Sequence, residues 1–113
     1  MNKHYSYESL KSVAGDDIDF MAVVAQAFLD EIPPDLEALQ QAIMLENKEL
    51  TYQFAHKMKP NMEMFGIKVM DEIQGIEAWT NTTKDKSVVS DSIEHLVNVL
   101  KLVFTQLKED FKL

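Results

Sequence analysis

The chain contains no cysteine and no arginine, and only three glycines and three prolines in 113 residues. Without cysteine, disulfide frameworks, thiolate zinc sites, iron–sulfur clusters and thiol nucleophiles are excluded. So few turn formers argue against a β-sandwich or barrel, which needs a reversal every few residues. No apolar run approaches the ~20 residues of a membrane span. The opening Met1-Asn2-Lys3-His4-Tyr5-Ser6-Tyr7 leads into a polar stretch with no secretory core, so the cytoplasm is the expected location. Positive charge is also scarce. Eleven lysines face nineteen acidic residues, for a net charge of −8. That balance argues against nucleic acid and against anionic membranes as partners, because both need a basic face.

What is present suits one soluble core. Apolar residues make up 46 % and charged residues 27 %, too apolar a mixture for disorder. The length fits a single domain over 1–113. Spacing sets the class. Val89, Ile93, Leu96, Leu100, Val103, Leu107 and Phe111 alternate in threes and fours, which predicts one long helix over 85–112. Asp16 or Asp17 caps a second, carrying Phe20, Val23, Val24, Ala27, Phe28 and Ile32. Pro33 and Pro34 interrupt it, and the pattern resumes at Leu36, Leu39, Ile43 and Met44. The expectation is one kinked helix, or two nearly collinear ones, ending near Leu45. Asn47 caps a third through Leu50, Phe54, Met58, Met62 and Phe65, and Gly66 stands where a left-handed residue closes a helix. A shorter helix carries Ile67, Met70, Ile73, Ile76 and Trp79, Thr80 to Thr83 form a loop, and Tyr7 to Val13 form a short N-terminal helix. The predicted fold is all-α: an up-and-down antiparallel four-helix bundle with a short extra N-terminal helix.

Familiar catalytic patterns fail. A di-iron bundle needs Glu-x-x-His, but Gln53 and Ser92 stand at that offset before His56 and His95. No His-x-x-x-His pair supports a helical zinc site, and three scattered glycines make no phosphate loop. No metal ligand set is expected.

The third helix is the informative one. At ~100° per residue, Leu50, Phe54, Met58, Met62 and Phe65 fall within roughly 120° and form the expected core stripe. His56 lies almost opposite and points into solvent half-way along the helix. Lys59 and Pro60 flank it, three and four residues on. A mid-helix proline costs about 3 kcal/mol relative to alanine. Pro60 also removes the N–H that would bond the His56 carbonyl, and its short side chain leaves room above the imidazole. Residues 47–70 hold four lysines against two glutamates, a balance of +2 that leaves −10 for the rest of the chain. Neutral imidazole attacks through an unprotonated nitrogen, and lysine is a mobile charge suited to a phosphoryl oxygen. Together these describe a nucleophile with an anion-stabilising neighbour and no pocket, so the rest of an active site would arrive on a partner.

The run Ala55-His56-Lys57-Met58-Lys59-Pro60-Asn61-Met62-Glu63-Met64-Phe65-Gly66 resembles the histidine-containing phosphotransfer domain family, whose motif runs roughly Ala-His-x-Leu-Lys-Gly-Ser-x-x-x-Leu-Gly. His56 matches the phosphorylated histidine, Met58 the leucine, Lys59 the lysine, and Phe65-Gly66 the closing pair. Pro60 departs from the usual glycine and Asn61 from the small residue after it, and both keep the position short. Phe28 to Leu39 is similar to the family's first long helix with its acidic-proline kink. By pattern the likeness covers residues 7 to about 80, and the last helix matches only in length and amphipathicity. The resemblance implies a phosphocarrier without kinase activity or cofactor. His56 Nε2 would accept a phosphoryl group from a receiver aspartate and pass it to a second receiver. The receiver would bring magnesium and most catalytic groups. Lys59 would support the phosphoryl group, and Pro60 and Gly66 would shape the site. Gln53, Lys57, Pro60 and Met64 would meet the partner, a receiver domain of a response regulator or hybrid histidine kinase. A monomer is expected.

The blander readings are concrete. An exposed histidine beside two lysines is ordinarily a solvated surface residue, and Lys57 lies ~100° round the wheel from His56. Gln53 and Tyr52 equally suit a polar face. His95, beside Glu94, reads as structural, and Trp79 as a core anchor. A helical interaction module that is never phosphorylated remains the second reading, and a metal-binding bundle a third.

Overall fold

The computed structural model describes residues 3–113. Met1 and Asn2, at the edge of the expected domain, lie outside the described residues. The chain is all-helical, with no strand among the described residues. Its helices are α1 (Tyr7–Ala14), α2 (Ile18–Met44), α3 (Lys48–Met64), α4 (Met70–Trp79) and α5 (Ser90–Phe111), the last preceded by a 3-10 turn, Lys86–Val89. No helix is long and apolar enough to cross a membrane among the described residues.

Local chemistry sets the ends. Ser6 caps α1 through the Ser9 N–H, and Asp17 caps α2 through the N–H groups of Asp19 and Phe20. Asn47 caps α3 through the Leu50 N–H at 3.1 Å. The two main helix ends close alike. After α2, Glu46 (φ 53°) donates to Ile43 O and Asn47 to Ala42 O. After α3, Gly66 (φ 60°) donates to Glu63 O and Ile67 to Met62 O. This left-handed closure satisfies carbonyls that a helix end leaves open.

Pro33 and Pro34 sit inside one continuous helix. Phe28, Ile32, Leu36 and Leu39 stay buried on one face through the prolines, so tertiary packing outweighs the two lost backbone bonds. Asp85 caps the 3-10 turn at Ser87 N, and α5 proper starts later than the spacing predicted. Ile67 is buried but belongs to the α3–α4 connection, not to α4.

Packing runs from α2 to α3, α3 to α4, α4 to α5 and α5 back to α2, while α1 covers α2 and α3. Phe28 meets Phe65 at 4.4 Å and Phe104 at 6.1 Å between ring centroids. Trp79 is buried, its indole N–H donating to the carbonyls of Lys84 and Asp85, with Lys48 Nζ 5.0 Å from the ring centre. Burying each such large apolar side chain contributes about 1.5–3 kcal/mol.

The segment before α1 forms a clasp. Lys3 Nζ reaches Asp110 Oδ1 at 2.8 Å, the Tyr5 hydroxyl donates to Asp110 Oδ2 at 2.5 Å, and Ser6 N donates to Phe65 O at 2.7 Å. Burial of the Tyr5 phenol, then its bond to Asp110, pushes its pKa far above the ordinary 10.0. Burial also raises Asp110, but hydrogen bonds from Lys3 and Tyr5 outweigh it and hold the carboxyl below its usual range. The clasp packs onto Gly66 so closely that a Cβ there would lie 2.6 Å from Ser6 Cβ and 2.8 Å from Ser9 Oγ. Gly66 is thus required both for its backbone angle and for this approach.

Candidate functional site

The core stripe of α3 differs from the one read on the wheel. Leu50 is exposed and Phe54 half-buried, whereas Thr51, Ala55, Met58 and Met62 are buried, with Phe65 beyond the helix end. Thr51 tolerates burial because its hydroxyl donates to Asn47 O at 2.8 Å. The stripe's centre therefore turns by about 40°. His56 no longer stands opposite the core but leans toward α4.

There it meets Glu77. His56 Nδ1 lies 3.1 Å from Glu77 Oε2, and Lys59 Nζ lies 2.9 Å from Glu77 Oε1. The His56 side chain is 61 % exposed, whereas that of Glu77 is 12 % exposed. A carboxylate only accepts hydrogen bonds. Bridged to Lys59, Glu77 therefore accepts a hydrogen bond from the Nδ1–H of His56, which leaves the lone pair on Nε2, an atom with no hydrogen-bond partner among the described residues. Tyr52, one turn back, stacks on the imidazole at 5.5 Å and 12°. The ring is thus held on one side by a hydrogen bond and on another by an aromatic face.

The remaining sequence candidates distribute around this centre. Lys57 is exposed and reaches α2, with Nζ 3.1 Å from Asp35 Oδ1 and 3.9 Å from Glu31 Oε1. Asp35 is buried, and its other oxygen has no hydrogen-bond partner among the described residues. Gln53 and Pro60 are exposed on the His56 side of α3, whereas Met64 is half-buried against the core. Gly66 closes α3 below the site. In space, Glu77, Asp35 and Glu31 offset the local positive charge that residues 47–70 suggest.

Sequence reasoning missed Glu77 and Asp35, although a signal existed. His56 and Glu77 are equidistant in sequence from the Gly66–Ile67 closure, and Asp35 and Lys57 from Glu46. Paired helices folding back about those closures bring each pair level.

Among the described residues, no group of three or more His, Asp or Glu side chains is arranged to hold a metal ion. Comparison with protein-family models, with curated proteins and with solved structures found no match to the chain.

Proposed function

We propose that the chain is a phosphorelay carrier of the histidine-containing phosphotransfer type, with His56 as the phosphoacceptor. In this reading α2 to α5 form that family's up-and-down antiparallel four-helix bundle, with α1 as the extra helix. The helix pairings from α2 round to α5 and back support it. The observation that supports it is the His56–Glu77–Lys59 constellation: an exposed imidazole bonded through Nδ1 to a carboxylate that also holds a lysine, with Nε2 unbonded among the described residues.

The chemistry follows from that geometry. The Nε2 lone pair attacks the phosphorus of a receiver's aspartyl phosphate. The N–P bond forms as the P–O bond to the aspartate breaks, and the aspartate leaves as a carboxylate. Positive charge develops on the imidazole, and Glu77 offsets it through Nδ1–H, as buried carboxylates do for catalytic histidines. The same charge makes the imidazole a good leaving group for onward transfer. The incoming group carries about two negative charges, which draw Lys59 away from Glu77. Gln53, Lys57, Pro60 and Met64 rim the approach of the receiver, which supplies magnesium and the remaining catalytic groups. The protein acts as a cytoplasmic monomer with no kinase activity of its own.

The test uses a small phosphoramidate donor, which needs no cognate partner. Wild type should gain one acid-labile phosphate at His56, read by intact and peptide mass, and His56→Gln none. A folded wild type that stays unmodified would refute the reading and favour the unphosphorylated interaction module.

A further inference from the structure

A second cluster of basic side chains lies away from His56. A cavity of about 570 Å³ opens between the clasp, the α3–α4 connection and α5, lined among others by Lys3, His4, Ser6, Gly66, Lys68 and His95. This volume falls in the usual range for small-molecule sites, about 300–1,000 Å³. Among the described residues its lining holds two lysines and two of the chain's three histidines, and no carboxylate. In a protein with nineteen acidic residues and eleven lysines this is a marked local reversal. Four other cavities among the described residues each have at least one carboxylate in their lining.

The donors are organised. The His4 backbone N–H donates to Gln106 Oε1 at 2.8 Å. That fixes the amide, so Gln106 Nε2 donates to His4 Nδ1 at 3.1 Å. Neutral His4 then carries its proton on Nε2 and is a donor as well. Lys3 is engaged by Asp110 at the rim. Lys68 has no ion-pair partner among the described residues and is exposed. His95 is exposed on the α5 wall. Asp110 touches the lining directly, through Lys3 and Tyr5, and Glu63, Asp71 and Glu72 line the adjoining cavity that shares Lys68.

We propose that this cavity binds a small multivalent oxyanion of the di- or polyphosphate class, held by Lys68 and His95 with His4 and Lys3 completing the wall. Lysine and histidine are point donors that suit compact tetrahedral phosphates. The planar fork of arginine, which matches carboxylates, is absent from the chain. The inference does not depend on phosphotransfer at His56.

The probe is sodium pyrophosphate, titrated into ¹⁵N-labelled protein at constant ionic strength and followed by amide shifts. Saturable shifts are expected at residues 3–6, 66–68 and 95–99. Lys68→Ala and His95→Gln should each weaken binding by about tenfold, the loss of one charge-assisted hydrogen bond. His56→Gln should bind as wild type. Both altered residues are exposed, so the variants keep the core, and their unchanged spectra elsewhere will show it. Absence of saturation overturns the proposal. So do shifts spread over all lysines or centred on residues 57–59, and so does unweakened binding in both variants.

Discussion

Replacing Glu77 by glutamine tests the central geometry with almost no change of shape. The carboxylate accepts from both His56 Nδ1 and Lys59 Nζ, at 3.1 and 2.9 Å. An amide has one accepting atom, so glutamine must choose. If its oxygen faces His56, its NH₂ opposes the Lys59 ammonium. If its NH₂ faces His56, Nδ1 becomes an acceptor, the proton moves to Nε2, and the attacking lone pair is lost. A hydrogen bond to a charged group contributes about 1.5–3 kcal/mol. The imidazole is 61 % exposed, so screening lowers its share to ~1–1.5 kcal/mol, or about tenfold in phosphorylation rate. The assay is the initial rate with phosphoramidate for wild type, Glu77→Gln and Glu77→Ala, beside long-range ¹H–¹⁵N spectra of the neutral imidazole. Wild type should show the Nδ1–H form, and both variants a larger share of Nε2–H. A Glu77→Gln protein with unchanged tautomer and a rate within about twofold of wild type would refute the reasoning.

Three further outcomes concern stability. Gly66→Ala combines a left-handed backbone with a Cβ 2.6 Å from Ser6 Cβ, so urea unfolding should show a loss of about 2–4 kcal/mol; a change below ~0.5 kcal/mol, the level of an ordinary surface substitution, would contradict the packing of the clasp. Pro60→Ala restores a backbone donor to the His56 carbonyl within α3, and chemical denaturation should register a gain of ~1–3 kcal/mol, whereas a loss would mean that the helix is built around the proline. The unfolded chain gives up the Tyr5 proton near the ordinary 10.0 while the folded chain retains it, so stability intact below that pH drains away above it; between roughly pH 9 and 11.5, around the phenol's free value, the urea midpoint of Tyr5→Phe should fall less steeply than that of wild type.

Local chemistry carried the reading of the helices. Caps at Asp17 and Asn47, the closure at Gly66 and the three-and-four spacing from Val89 onward are statements about neighbours in sequence, and each has its counterpart in the fold. Pro33 and Pro34 left a choice between one helix and two, because the answer depends on whether the buried face from Phe28 to Leu39 outweighs two missing bonds. The wheel for α3 places Leu50 in the core stripe, yet Leu50 is exposed and Thr51 is buried. The register of α3 instead reflects what α2 and α4 present to it, and Thr51 meets its own polar demand at Asn47 O. At the site, the exposure of His56 and the nearness of Lys59 follow from one helix. Glu77 and Asp35 do not, because their roles depend on how neighbouring helices are aligned, and a wheel drawn for one helix holds no such information.

The clasp has a consequence for the order in which the chain assembles. Lys3 and Asp110 are 107 positions apart, whereas His56 and Glu77 are 21 apart. Closing the longer loop costs more chain entropy, and contacts of high sequence separation slow folding. The helix pairs around Glu46 and Gly66 should therefore form early, the clasp should seal last, and in the native protein it should be among the first parts to open. The basic cavity takes one wall from that late segment. Occupancy there would register completed folding, and an anion seated in it would raise the protection of the Ser6 amide against hydrogen exchange while leaving the helix pairs around Glu46 unchanged.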